Sequence, residues 1–406
     1  MLTKRLRLLL VGLLISGILA WNGCFNSSSS SLAANTSLMW VATQGDQMVR
    51  SFTISQENGQ IYPIGNNGNP VATGIGPMQM VATADGKTIF MANAGGTVTA
   101  YTIGGDGSLT AAGNPVSAGQ RPVALALDPA GKFLFVANQG TASDVTSGTI
   151  SVFSVSGSSL NEVPGSPFST EISGDVTGSG PSAVAVSPVG NYVYVANQFN
   201  NTVLSFSFDS SGSLALVGSY SAGVAPASLA FSRCAGITAT TAAGTCPVAD
   251  GDNLFVANSG SNTVSIFSAC IQVSAICNVP SGSLTQIVTG SLIPAGTAPA
   301  GIVVNPGWNY VYVVNQGSSD VSEYSYNPAS GTLTSIGTGS CGNLAFAGSI
   351  TSNVINTTST FNWVVVTNNG AASLSVFRVA AADGKLNALS SGQYSVEGQP
   401  SAVLLR

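Results

Sequence analysis

The chain has 406 residues and not one histidine, and only 7% of its residues are charged. Without imidazole there is no histidine general base and no Ser-His-Asp catalysis. A zinc site would have to be all-thiolate, and no metal or other cofactor is expected. Basic residues are scarce as well. Removing Lys4, Arg5 and Arg7 with a leader leaves 8 basic residues against 16 acids, a net charge of about −8. An acidic, lysine-poor surface disfavours nucleic acid and anionic membrane faces as partners. The apolar stretch near the start, Leu8–Ala20, has 13 residues, too few to span a bilayer comfortably.

What the chain has in abundance is glycine, 48 residues of it, with Ser, Thr and Asn between short runs of Val, Ile, Leu, Phe and Tyr. That is the composition of many short strands joined by turns. One pattern recurs seven times: an aromatic-rich strand, an Asn or Thr, a short polar loop, and a second strand ending in Phe or Tyr. The copies are Trp40–Phe52, Ile89–Tyr101, Phe133–Phe153, Tyr192–Phe206, Leu254–Phe267, Tyr310–Tyr324 and Trp363–Phe377. A period of roughly 40–50 residues with four strands per unit predicts the blades of an all-β, seven-bladed propeller. Innermost strands are predicted to open at Pro77, Pro122, Pro181, Pro226, Pro299 and Pro400, with a degenerate copy near Cys341-Gly342-Asn343. Proline is tolerable at the first position of a strand. Pro400–Leu405 is an inner strand with nothing after it, while Leu38–Ile64 holds three strands with no inner strand before them. The two ends are therefore expected to complete one four-stranded closing blade, leaving no exposed sheet edge there.

Tyr192-Val193-Tyr194-Val195-Ala196-Asn197 and Tyr310-Val311-Tyr312-Val313-Val314-Asn315 resemble the YVTN-type repeat of lactonase-like seven-bladed propellers, the 6-phosphogluconolactonase-like family. The resemblance spans essentially residues 38–406. It implies lactone opening or cyclisation by His, Arg and Glu side chains around a central channel, and this chain has no His to supply.

The first residues read as an export leader. Lys4, Arg5 and Arg7 precede the apolar run. Gly23-Cys24 and the serines Ser27–Ser31 then resemble a bacterial lipoprotein signal with lipidation at Cys24, although Trp21 and Asn22 depart from that motif. The expected organisation is a signal peptide over 1–23, a Ser-rich tether over 24–37 and the propeller over 38–406. The expected address is the periplasm or cell surface, with membrane contact only through the N-terminal lipid or anchor. Cys234, Cys246, Cys270 and Cys277 fall in two insertions of one blade, and an oxidising compartment suggests disulfides. Local pairs, Cys234–Cys246 and Cys270–Cys277, are the expected ones, with Cys341 left over.

Alternating strand direction sorts the loops. Connections between blades and loops between second and third strands share one face, the top; the other two turns of each blade lie on the bottom. Asp85, Asp128, Asp250 and Asp252 then fall in first bottom turns, and Glu57, Asp106, Asp209 and Asp383 in second ones, positions that favour Asp. This demotes Asp250-Gly251-Asp252-Asn253 from a calcium loop to a turn. Asp46, Asp144, Glu171, Asp175, Asp320 and Glu397 are expected at the top, with Arg121 as the clear cation there. Thr43, Asn93, Asn138, Asn197, Asn258, Asn315 and Asn368 end the second strands and are read as loop caps. Long top loops over 139–148 and 164–180 place the candidate binding patch at Arg121, Gln139, Asp144 and Asp175, with Asp46 and Glu397 as acids that Arg121 could work beside. The expected function is an exported binding or surface-interaction module taking a protein or a neutral saccharide-like small molecule, and catalysis is not the favoured reading. The alternatives are a lactonase-like hydrolase acting on a neutral lactone and a purely structural surface protein.

Overall fold

A computed structural model describes residues 36–141, 144, 147–172, 178–232, 253–271, 279–287, 292–305, 309–328, 330–339, 347–352 and 362–406. Cys24, Asp175, Cys234, Cys246, Asp250, Gly251, Asp252, Cys277 and Cys341 lie outside them. Seven antiparallel sheets follow one another, each built from an inner, a second, a third and an outer strand. The inner strands are Pro400–Leu405 in blade 1, then Pro77–Ala82, Pro122–Leu127, Pro181–Val186, Pro226–Phe231, Pro299–Asn305 and Ala347–Ser352 in blades 2 to 7. In blades 1, 2, 3 and 5 the outer strand is broken into two short pieces that both pair with the third strand.

Blade 1 joins the two ends of the chain as the repeat demands. Thr36–Thr43 pairs with Met48–Ser55 on one side and with Pro400–Leu405 on the other, with Trp40 opposite Leu404 and Val41 opposite Val403. The amide of Leu38 donates to the Arg406 carbonyl and the amide of Arg406 to the Leu38 carbonyl, at 2.9 and 2.8 Å. The inner strand of blade 7 begins at Ala347, several residues after the degenerate motif at Cys341.

The core lies between blades. Second strands are buried on both faces, which is why Phe133–Asn138 and Asn253–Asn258 read as continuous apolar runs. Between blades 3 and 4, Phe135, Val152, Val193, Val195 and Phe206 form one apolar cluster, and comparable clusters fill the other seams. Aromatic donors stitch neighbouring blades together at the same place. The Trp40 indole donates to the Gly107 carbonyl at 2.9 Å, the Tyr194 hydroxyl to Gly282 at 3.1 Å, and the Tyr312 hydroxyl to Gly384 at 2.6 Å. In each case a second-strand side chain reaches the turn between third and outer strands of the following blade.

One titratable group is buried in such a seam. Glu323, 2% exposed on the third strand of blade 6, accepts the Leu386 amide of blade 7 at 3.1 Å. Burial pushes its carboxyl above the usual carboxylate range, against the pull of that amide and of Lys385. A raised folded value favours the protonated form, so its contribution is complete below the unfolded carboxyl value and is lost as pH rises through the folded one. Glu323→Gln keeps the acceptor and removes the charge. Urea midpoints are expected to match wild type in acid and to exceed it at neutral and alkaline pH; equal midpoints throughout would refute the assignment.

Candidate functional site

The residues that end the second strands are caps, as their chemistry suggests. Asn93, Asn138, Asn197, Asn258, Asn315 and Asn368 are all fully buried. Each side-chain amide donates across to the third strand. Asn138 reaches the hydroxyls of Thr149 and Ser151 at 3.1 and 3.0 Å, and Asn258 those of Thr263 and Ser265 at 3.2 and 2.9 Å. None of them is available as a ring of ligand contacts.

The next residue in each loop faces the channel instead. Gln44, Gln139, Gln198, Gln316 and Asn369 follow the capped positions and line a central cavity of about 520 Å³ at the top mouth. The peptide locks behind them are repeated: the amides of Gln139, Gln198 and Gln316 donate to the carbonyls of Arg121, Gly180 and Ala298. These acceptors directly precede the inner-strand prolines and are left-handed, with φ of 54° at Arg121, 56° at Gly180 and 51° at Ala298. A proline disfavours the right-handed helical region for the residue before it, and the tight top loop selects the left-handed alternative.

The inner strands contribute a second ring. Every proline-headed inner strand from blade 2 to blade 6 slips register just after its proline, between Pro77 and Gln79, Pro122 and Ala124, Pro181 and Ala183, Pro226 and Ser228, and Pro299 and Gly301. The bulged residues Met78, Val123, Ser182, Ala227 and Ala300, with Ser401 at the same place in blade 1, are thereby turned into the channel. A bulge re-aims a side chain and commonly sits beside a site. Strand alternation does not reveal this ring because a bulge breaks the period of two; the signal available was the recurring proline at the head of the inner strands in blades 1 to 6.

Arg121 stands exposed at the cavity edge, and among the described residues it makes no ion pair or side-chain hydrogen bond. Gln139 donates to the Gln198 side chain at 2.9 Å, closing part of the rim. Asp46 and Glu397 are elsewhere in chemical terms. Both accept from the buried Arg50 on the third strand of blade 1, at 2.5 and 3.2 Å, and neither lines the cavity. Arg121 has neither of them as an acid–base partner. Arg50 occupies the place held by Thr99, Ser151, Ser265, Ser322 and Ser375 in other blades, with Thr43 where those blades have Asn. Asp144 closes a local bridge with Thr141 and does not line the cavity, and Asp175 lies outside the described residues. Among the described residues no carboxylate lines the cavity: its polar groups are amides, hydroxyls and one guanidinium. The bottom acids are turn formers, with Asp85, Asp106 and Asp209 accepting from amides two residues on. Hydrogen bonds from neighbouring hydroxyls and from those amides hold all three carboxyls below the usual range.

The sequence profile of the seven-bladed lactonase β-propellers matches three overlapping stretches, residues 36–166, 146–269 and 247–402. The chain belongs to this lactonase family. Its fold is that of solved relatives at low identity. The periplasmic gluconolactonase of Pseudomonas aeruginosa superposes with a TM-score of 0.69 at 20% identity, over 91% of this chain and 99% of that one. A protein from Lactobacillus plantarum gives 0.70 at 18%, over 91% and 99%. A candidate 6-phosphogluconolactonase from Bacteroides fragilis gives 0.67 at 18%, over 93% and 99%. No curated protein matches by sequence.

Proposed function

We propose that this family member binds a small neutral lactone in the central cavity and opens it by hydrolysis. The observation that carries this reading is the lining: six side-chain amides, several hydroxyls and a single cation, with no carboxylate among the described residues. Amides and hydroxyls match the ring oxygens and hydroxyls of an uncharged ligand, whereas one exposed Arg is a thin clamp for a phosphate. A similarly folded periplasmic protein is a gluconolactonase, which supports the lactone class.

The chemistry follows from what is present. Hydroxide adds to the lactone carbonyl carbon, and the negative charge gathers on the carbonyl oxygen. Arg121 at the cavity edge stabilises that charge. The ring C–O bond then breaks, the departing alkoxide takes a proton from water, and a hydroxy acid leaves. No lining side chain is a titratable base, so the rate is expected to rise in proportion to hydroxide without an inflection between about pH 6 and 8. Arg121→Gln is expected to cut kcat/KM about tenfold, less than for a desolvated oxyanion donor because the guanidinium is exposed. Turnover of a panel of neutral lactones followed by pH-stat, wild type against Arg121→Gln, checks both points. Absence of turnover across the panel would overturn the hydrolase.

The missing base favours a second reading, a module that binds such a ligand without opening it; calorimetric binding with no acid release would establish that case. For the address we propose export to the periplasm or cell surface, with Cys24 lipidated. The leader chemistry of Lys4, Arg5, Arg7 and Leu8–Ala20 supports it. In an oxidising compartment Cys270 would be held in a disulfide. Cys277 is the local partner we propose.

A further inference from the structure

The rim of the cavity is not a complete ring. Where other blades place Gln44, Gln139, Gln198, Ser259, Gln316 or Asn369 directly after the capped residue, blade 2 places Ala94. Its top loop is also the shortest, three residues between Asn93 and Thr97 against four between Asn197 and Thr202. Ala94-Gly95-Gly96 therefore leaves a notch in the amide wall. Behind the notch, between blades 2 and 3, runs an open trough of about 640 Å³ whose lining includes Ala94, Gly95, Gly96, Ala118 and Gly119. Among the described residues, Arg121 alone borders both the trough and the central cavity.

The floor of the trough is bare for reasons of packing. A Cβ on Gly119 would meet the Asn138 side chain at 2.5 Å, and one on Gly95 would meet Ile75 at 2.9 Å. Gly96 has a φ of 93°, which side-chain-bearing residues avoid. Ile75, whose carbonyl accepts the Gly95 amide, stands 68% exposed against that loop. Among the described residues, the trough offers mainly methyl groups and α-carbons, with Ile75 beside Gly95, Gln120 and Thr141 as its polar side chains, and no acid and no cation except Arg121 at the junction.

We propose that the ligand of the central cavity carries an apolar chain that leaves through this notch and lies in the trough. The substrate class is a neutral lactone bearing an acyl or alkyl substituent, its carbonyl end beside Arg121 and its chain over Ala94, Gly96 and Ala118. This rests on the lactone-site reading and adds its specificity. A chain of roughly six to eight carbons buries apolar area that a bare ring leaves in water, and apolar burial is favourable in proportion to that area. In an open trough only part of the gain is realised.

The test compares two probes with the same head, N-acetyl- and N-octanoyl-α-amino-γ-butyrolactone, by calorimetry on the full mature protein. The octanoyl compound is expected to bind at least about tenfold tighter than the acetyl one. Ala94→Gln gives blade 2 the amide that five of the other six blades carry and closes the notch, and Gln120→Trp fills the trough from its exposed rim. Either is expected to reduce the octanoyl-to-acetyl affinity ratio to near one, and unchanged circular dichroism and urea midpoints show that the fold is kept. Equal affinity of wild type for both probes, or a ratio that survives both substitutions, would overturn the chain site and leave the lactone site standing. Binding of neither probe nor of D-glucono-1,5-lactone would overturn both.

Discussion

Asp46→Ala is expected to cost about 3 kcal/mol of stability, at the low end of the loss produced by removing one partner of a buried ion pair. The cost falls on the partner that remains. The Arg50 side chain is 4% exposed, and its Nη2 would keep only the longer bond to Glu397, whose own side chain is 68% exposed. Nη1 would still reach the Thr43 hydroxyl at 2.9 Å. The opposite truncation, Glu397→Gln, removes a solvent-screened partner and is expected to cost less than about 1 kcal/mol. Urea unfolding of the two variants separates these values. Burial by itself would raise the Asp46 carboxyl, but the hydrogen bonds from Arg50 and Thr43 outweigh it and hold the group below the usual range. A lowered folded value means that its stabilisation is present above the unfolded carboxyl value and is lost as pH falls through the folded one. Wild type and Asp46→Ala are therefore expected to converge in stability in acid. A constant difference down to strongly acidic pH would show that the charge is not what holds this corner of blade 1.

Gly282→Ala is expected to be as damaging by a steric route. Gly282 has a φ of 89°, and a Cβ there would lie 2.5 Å from the Tyr192 ring of the preceding blade. Its carbonyl also accepts both the Tyr194 hydroxyl and the Ser205 hydroxyl, the latter at 2.6 Å. A left-handed backbone costs a side-chain-bearing residue about 1–2 kcal/mol, and overpacking a filled seam adds typically about 1–3 kcal/mol. Together these come to about 3 kcal/mol, with loss of the two hydroxyl bonds if the turn retreats. Gly157 is the matched control: it sits in the corresponding turn of blade 3 with a φ of 61°, and an added Cβ would meet nothing within 4 Å. Gly157→Ala is expected to cost about 1 kcal/mol, the backbone share alone. Equal losses for both, measured by urea denaturation, would mean that the seam has room it does not show.

The architecture was legible because its signals are periodic. Each Asn at the end of a second strand recurs with at least one hydroxyl acceptor on the third, and Pro400–Leu405 announces the missing strand of blade 1. Asp85, Asp106 and Asp209 can be assigned to turns because their job is local, a carboxylate accepting from an amide two residues away. The site was less legible. The bulged ring from Met78 to Ser401 depends on a register slip that no period of two predicts. Gln44, Gln198 and Gln316 pass for ordinary loop residues until closure brings them to one mouth. Arg50 is hidden most completely. It lies within an apolar strand where its counterparts carry hydroxyls, and its two acids come from opposite ends of the chain. In the sequence, Asp46 and Glu397 consequently read as free rim charges within reach of Arg121, whereas in the fold Arg50 holds both.

The joint between the two ends also sets an order of events. Synthesis proceeds from the N-terminus, so Thr36–Thr43 is made first and its partner Pro400–Leu405 last. Blades 2 to 7 can assemble from contiguous chain as it emerges, while Thr36–Thr43 keeps one unpaired edge until Pro400–Leu405 has been made. Such an edge invites pairing with the wrong strand, including one from a neighbouring nascent chain. The ring gains its protection from edges only when Pro400–Leu405 docks, and until then the free edge of Thr36–Thr43 must be shielded by whatever handles the nascent chain.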